Sequence, residues 1–304
     1  IYIDAETGNV TKASTLVHNA AVSASGTALD GSEVIFQAQQ NGSTYQMIDS
    51  RFPAGTDNAT KVFDHNNGSP KLVESSSATS GWPASALSAL SYTKDTIDYF
   101  KNNHNTNAPY PNGSRLTIEI DLNEENAYFA LKTPDMVLGI GTGQRGKIGL
   151  SAAAMKDVVG HEITHGLISQ TSVLQYRHQS GALNESFSDF FGAMIENEDW
   201  QIGEDWLSPS GKPVRNMANP QNARTPQPYH YSQYKSLPYS NDYGGVHLYS
   251  GIPNRALYLL AEGLPGSIGL QKAANLAFKT MTNLTPLATF NDAAEYMINL
   301  ASQE

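Results

Sequence analysis

The sequence predicts an α+β chain with a strand-rich first half and a mainly helical second half that meet at one buried helix. Two patterns carry this expectation. Up to about residue 150, runs rich in Tyr, Val and Thr lie between Gly and Asn turns, as in Glu33-Val34-Ile35-Phe36 and Leu116-Thr117-Ile118-Glu119-Ile120, and such runs form half-buried strands. After Gly181 the apolar residues recur at helical spacing, over 256–260, 270–281 and 292–301. A helix over 84–102 interrupts the strands. At 304 residues the chain can bury a substantial core, as one large domain or as two in intimate contact.

The junction helix is apolar around most of its circumference, through Met155, Val158, Val159, Ile163, Leu167 and Ile168, so it is expected to be buried. Ser151 can cap its start. Gly160 and Gly166 suit close approach by neighbouring backbone. Within it stands His161-Glu162-Ile163-Thr164-His165. At about 3.6 residues per turn, the two histidines lie one above the other, and both imidazoles can reach a single metal ion. Glu162 sits about 100° round the helix from His161, which suits holding a water against the ion better than ligating it. The plain alternative is a buried helix with two hydrogen-bonded histidines.

A catalytic zinc takes three protein ligands and keeps one position open. The candidate third ligand is Glu185, in Asn184-Glu185-Ser186-Phe187-Ser188-Asp189, on a second apolar helix marked by Phe190, Phe191, Ala193, Met194 and Ile195. Glu185 and Asp189 share a face of that helix. Two carboxylates turned into an apolar helix pair repel and lose hydration, so a cation beside them is expected. Asp189 then serves as the acceptor that orients His161 through its other ring nitrogen. Otherwise both acids are solvated on an exposed face.

On these residues the chain resembles the thermolysin-like zinc metalloproteases, the neutral proteases whose third zinc ligand is glutamate. The resemblance runs from about Ala20 to the C-terminus. It rests on Asn126-Ala127-Tyr128-Phe129, on the stretch from Asp157 to His165, on Ser180 to Glu185, on Asp199 to Asp205 and on Gly244-Gly245-Val246-His247. It implies a two-lobed zincin fold: a propeptide tail over 1–20, a β-rich lobe over 21–166 ending in the metal helix, and a helical lobe over 167–304, with the metal helix at the cleft floor. The implied activity is that of a secreted, extracellular zinc endopeptidase made as a zymogen. His161, His165 and Glu185 would hold zinc and Glu162 would act as general base. Tyr176 and His247 would donate to the oxyanion, with Asp242 orienting His247; a phenol and a carboxylate-paired imidazole are suitable donors toward developing negative charge. Arg215 matches the position that grips a substrate carbonyl, and Asn126 with the Ala127 backbone matches the edge strand that pairs with extended peptide. Leu150, Val158, Ile202 and Val214 match the apolar pocket on the leaving-group side, which implies cleavage before bulky apolar residues. Taken alone, Tyr176 and Arg215 are ordinary surface residues.

Composition narrows the field further. The formal charge of −10 leaves no basic face for nucleic acid or anionic lipid. No apolar run reaches the length of a membrane span. The chain has no cysteine, which excludes disulfides and thiol ligands. The resemblance puts calcium in the stabilising role instead: Asp157, Glu196, Asp199 and Glu204 match calcium-binding positions, and hard carboxylate oxygens suit that ion. Relatives with two adjacent calciums carry glutamate where this chain has Gln201, so one calcium is expected. The stretch from Ser208 to Pro213 also lacks an acid. The expected partners are peptide or protein substrates and the chain's own propeptide, with the protein itself a monomer.

At the ends, Ile1 to about Asn19 resembles the last strand and turn of a propeptide, with a plain N-terminal hairpin as the alternative. The resemblance also implies one more C-terminal helix than the chain carries. Two rivals compete for the function. A zinc aminopeptidase shares the two-histidine motif, but Gly192-Ala193-Met194-Ile195-Glu196-Asn197 lies downstream of it and is a poor match to the exopeptidase element. A non-catalytic zinc-binding module would be expected to lose Glu162, Tyr176 or His247, and all three are present. Covalent chemistry lacks a cysteine or a Gly-x-Ser-x-Gly turn.

Overall fold

A computed structural model of the chain describes residues 2–3, 10–12, 20–50, 59–66, 68–109, 115–132, 135–141, 155–205 and 211–303. The first strands are β1 (Tyr2–Ile3), β2 (Val10–Lys12), β3 (Ala20–Thr27), β4 (Glu33–Asn41), β5 (Thr44–Gln46), β6 (Ile48–Asp49), β7 (Thr60–Asp64), β8 (Lys71–Leu72) and β9 (Glu74–Ser75). Helix α1 (Ala84–His104) precedes β10 (Arg115–Leu122), β11 (Ala127–Lys132) and β12 (Asp135–Gly141). Then come α2 (Lys156–Gln170), α3 (His178–Glu196), β13 (Gln201–Ile202), β14 (Arg215–Asn216), α4 (Asp242–Tyr249), α5 (Gly251–Tyr258), α6 (Leu270–Asn283) and α7 (Phe290–Ala301).

Among the described residues, two larger sheets build most of the first half. One is antiparallel, in the order β3-β4-β5-β9, and the other is mixed, in the order β11-β12-β10-β7-β6, with β8 added to β7. Strand β10 runs parallel to both β7 and β12. Its period-two alternation buries Leu116, Ile118 and Ile120 completely, as a strand with one face on the core must. β11 pairs only with β12, so among the described residues it is an edge strand. β1 and β2 pair with each other.

The apolar core is continuous from the sheets through α1 into the helical half. Phe100 of α1 meets Phe191 of α3 at 5.2 Å between ring centroids and Phe278 of α6 at 6.3 Å. Helix α2 lies in the middle, and from Asp157 to Ile168 every residue except His165 is buried. That follows from side chains that are apolar in nearly every direction. As described, α2 begins after Met155 without a side-chain cap; Ser151 lies outside the described residues.

Helices α2 and α3 cross at two glycines. A Cβ on Gly160 would lie 3.3 Å from the Gly192 Cα, and a Cβ on Gly192 would lie 2.6 Å from the Asp157 carbonyl oxygen. The backbones are therefore close enough for short, stiff donors on the two helices to meet. Gly192→Ala is expected to push the helices apart at a cost of about 1–3 kcal/mol, seen as a lower urea midpoint at unchanged m-value. An unchanged midpoint would show that the crossing tolerates a methyl group.

Candidate metal centre and active site

His161 and His165 project from α2 toward Glu185 on α3. His161 Nε2 is 2.9 Å from His165 Nε2, Glu185 Oε2 is 3.6 Å from His161 Nε2, and Glu185 Oε1 is 3.4 Å from His165 Nε2. Donors on a tetrahedron with metal bonds of about 2.0–2.1 Å are separated by roughly 3.3 Å, so this set fits a zinc ion. Glu185 is 1% exposed and its Oε2 has no hydrogen-bond partner, an arrangement that is costly without a cation. Burial would raise its pKa, but His247, His165 and His161 hold it well below the usual carboxylate range. Burial pulls His165 down, and the Glu185 carboxylate beside it prevails, pushing it up to about 9. The carboxylate of Glu162 lies within 4.8 Å of both imidazole donors.

The outer nitrogens of both rings are held. His161 Nδ1 is 2.8 Å from Asp189 Oδ1, which turns its Nε2 toward Glu185. His165 Nδ1 is 2.7 Å from Asn184 Oδ1, and the Asn184 amide donates to the Leu174 carbonyl at 3.2 Å. That second bond fixes which way the amide faces, so His165 must carry its proton on Nδ1. Asp189 is fully buried, and it also accepts from Arg215 Nε at 2.7 Å and from Asn254 Nδ2 at 2.8 Å. Against the upward push of burial, the Arg215 guanidinium brings Asp189 down to about 2.

On the other side of Glu185, Tyr176 and His247 form a polar pair. The Tyr176 hydroxyl donates to Glu185 Oε1 and lies 3.0 Å from His247 Nε2. His247 Nδ1 is 2.6 Å from Asp242 Oδ1, and Asp242 Oδ2 accepts from the His247 backbone N–H at 2.8 Å. A phenol has one proton to give. With that proton directed to Glu185, the phenol oxygen is left facing His247 Nε2. Tyr176 is 37% exposed, yet its hydroxyl is desolvated, and burial together with the Glu185 charge pushes the phenol far up. It remains an O–H donor at any working pH.

Asn126, Ala127, Val158, Ile202, Val214 and Arg215 line a pocket of about 70 Å3 with His161 and Glu162. Leu150 lies outside the described residues. The Nε and Nη2 edge of Arg215 is committed to Asp189. Any grip on a substrate carbonyl therefore falls to its Nη1 edge.

Of the four acids matched to calcium positions, three come together. Oxygens of Asp157, Glu196 and Glu204 lie within 4.8 Å of one another, and Glu196 Oε2 and Glu204 Oε2 are buried without hydrogen-bond partners. Burial and then the Glu204 charge push Asp157 up to about 7; burial and then Asp157 push Glu196 up to about 9. Asp199 is outside this group. Its carboxylate accepts from the Gln201 backbone N–H at 2.6 Å and from Gln201 Nε2 at 2.7 Å, a local turn that competes with ligation. Of the stretch without an acid, residues 208–210 lie outside the described residues.

Three residues of the site escaped the sequence reading: Asn184, Ser188, whose hydroxyl is 3.1 Å from His165 Nδ1, and Asn254. For the first two a signal existed. Asn184, Glu185, Ser188 and Asp189 make a polar stripe on a helix otherwise buried among phenylalanines. Asn254, 65 positions from its partner, gave none.

Comparison with known proteins agrees with this geometry. The family model described as thermolysin metallopeptidase, catalytic domain, matches residues 23–169, and that of the alpha-helical domain matches residues 172–304. Bacillolysin of Bacillus subtilis (strain 168) is 35% identical over 310 residues, covering 99% of this chain and 57% of its own length. Extracellular elastase of Staphylococcus epidermidis (strain ATCC 12228 / FDA PCI 1200) is 36% identical, covering 96% of this chain and again 57% of its own length. The chain thus spans little more than half of these relatives, whereas neutral protease NprE of Bacillus pumilus aligns over 93% of both chains at 35% identity. The solved precursor of protealysin, a metalloproteinase from Serratia proteamaculans, superposes with a TM-score of 0.69 at 32% identity, over 80% of this chain and 81% of that one. With both halves matched in order and the two-lobed fold shared, the chain belongs to the thermolysin metallopeptidase family.

Proposed function

We propose that the chain is a zinc endopeptidase that cleaves internal peptide bonds, preferentially before bulky apolar residues. The observation that carries this reading is the convergence of His161, His165 and Glu185 within 3.6 Å of one another, with Glu162 beside them and the Tyr176–His247 pair across from it. His161, His165 and Glu185 would hold the ion. When bound, zinc supplies Lewis-acid polarisation of the carbonyl and makes water more acidic. Glu162 takes the proton of the attacking water and returns it to the leaving amine. As the carbonyl oxygen gains charge, it takes over the donors of Tyr176 Oη and His247 Nε2 from their ground-state partners, and Asp242 keeps the imidazole aligned. Edge strand β11, entered through Asn126 and Ala127, can add an extended peptide as a further strand. Val158, Ile202 and Val214 would receive the side chain after the scissile bond.

Residues 1–20 would belong to a propeptide. The precursor form of the protealysin relative supports a zymogen, and the name of the staphylococcal relative supports secretion. No helix among the described residues is long and apolar enough to cross a membrane. One calcium ion is assigned to Asp157, Glu196 and Glu204, and the unpartnered oxygens of Glu196 and Glu204 fit a hard cation; Asp199 would join them on giving up its hydrogen bonds to Gln201. The proposed lobe boundary after Gly166 falls near the C-terminal end of the metal helix α2.

The reading is tested by metal analysis paired with cleavage of an N-blocked internal peptide. About one zinc per chain is expected, with cleavage abolished by chelation and restored by zinc. Turnover only of peptides with a free N-terminus would support the aminopeptidase instead, and zinc without any turnover would support a binding module.

A further inference from the structure

The turn that delivers His247 is unusual. Asp242, Tyr243, Gly244 and Gly245 are four successive residues in the left-handed region, at φ of 51°, 50°, 90° and 88°. The Asn241 carbonyl accepts from the N–H groups of both Gly244 and Gly245, at 2.9 and 3.0 Å. The turn is also packed from beneath: a Cβ on Gly244 would lie 2.2 Å from His178 Nδ1. Gly tolerates this backbone and Asn adopts it readily, but a bulky aromatic residue does not. Residues held in such conformations cluster at ligand clamps and active sites.

The Tyr243 side chain gives that placement a consequence. Tyr243 is 47% exposed, and its ring stands edge-to-face with Tyr176, at 5.5 Å and 67°, and with Tyr239, at 5.4 Å and 82°. A ring gripped by two neighbours has lost its freedom before any ligand arrives, and the face left in solvent is a preorganised apolar surface. The position of that surface follows from its contacts. The pocket of Val158, Ile202 and Val214 adjoins His161 and Glu162, whereas Tyr243 reaches the donor set through Tyr176, beside Glu185 and His247. The first surface thus adjoins the His161–Glu162 side of the donor set and the second adjoins the Tyr176–His247 side. With the first taking the residue after the scissile bond, the second is the surface open to the residue before it.

We propose that Tyr243, clamped between Tyr176 and Tyr239, is a specificity-determining residue that favours aromatic or large apolar side chains immediately before the scissile bond; this inference rests on the peptidase reading above. The test uses the zinc-loaded protein and two blocked peptides that differ only in carrying Phe or Ala before a scissile Leu bond. The wild type should prefer Phe in kcat/KM. Asn accepts the left-handed backbone, so Tyr243→Asn removes the ring without straining the turn, and Tyr243→Gly does the same should the first variant fold poorly. In either, the Phe-to-Ala preference is expected to fall roughly three- to tenfold, mainly through KM, while Tyr243→Phe keeps it. An unchanged preference in the ring-less variants overturns the proposal. So does an equal fall in kcat for both peptides, since Tyr243 would then act only by steadying Tyr176. Wild-type cleavage without any Phe preference sinks this inference alone, and no wild-type cleavage of either peptide sinks the peptidase reading with it.

Discussion

Glu162→Gln is expected to retain the metal and to lose about 10²–10⁴-fold in kcat. Gln matches Glu in size and can still accept a hydrogen bond through its carbonyl oxygen, so the 8% exposed site should keep its packing. What it cannot do is take a proton. The side chain is not one of the three donors that converge between α2 and α3, so metal content should stay near one equivalent. His165→Ala removes a donor 2.9 Å from His161 Nε2 and should lose metal and activity together. Elemental analysis and single-turnover cleavage of a blocked peptide separate the two variants. Cleavage by the Glu162→Gln protein within a few-fold of wild type would show that another group carries the proton.

The centre was legible because helical periodicity is a strong geometric constraint. Four-residue spacing fixes the relation of His161 to His165 and of Glu185 to Asp189 whatever the tertiary structure. The strands of the first half were legible for a related reason: alternation in Leu116, Ile118 and Ile120 has one face to bury. Asn254 was not, because a neutral amide finds its partner through a helix registration that spacing does not encode, and the same registration decides which groups the Asn184 and Ser188 stripe meets. The register itself depends on Gly160 meeting Gly192, a contact between residues 32 positions apart. Asp199 shows another limit. Its position matches a ligand pattern, but that pattern does not encode the hydrogen bonds its carboxylate accepts from Gln201, two residues along the chain. The left-handed backbone of Tyr243 was hidden for a similar reason: Gly244-Gly245 marks a turn, and nothing in the local residue types places a tyrosine inside it.

Calcium withdrawal at constant zinc is expected to produce the largest change in stability, and the change should grow with pH. Asp157 and Glu196 are raised from ordinary values of 3.8 and 4.5 to about 7 and about 9, by burial and by a neighbouring carboxylate, Glu204 for Asp157 and Asp157 for Glu196. Between the ordinary and the raised values the folded state holds more protons than the unfolded state, so unfolding free energy falls as pH rises. The relative stabilisation is fully present below about pH 4 and is lost progressively through pH 7 toward 9. A bound calcium ion reverses the situation, because it favours the ionised carboxylates and satisfies the buried Glu196 and Glu204 oxygens that otherwise lack partners. Calcium at a hundredfold excess over Kd adds about 2.7 kcal/mol, or about 4 °C in Tm for a chain of this size. Thermal melts at pH 5.5, 7 and 8.5, after dialysis into zinc-containing buffer with and without calcium, should show a gap that widens at each step. A gap that stays constant would remove these carboxylates from the ion's site. No gap at all would mean that the three acids share protons rather than a cation.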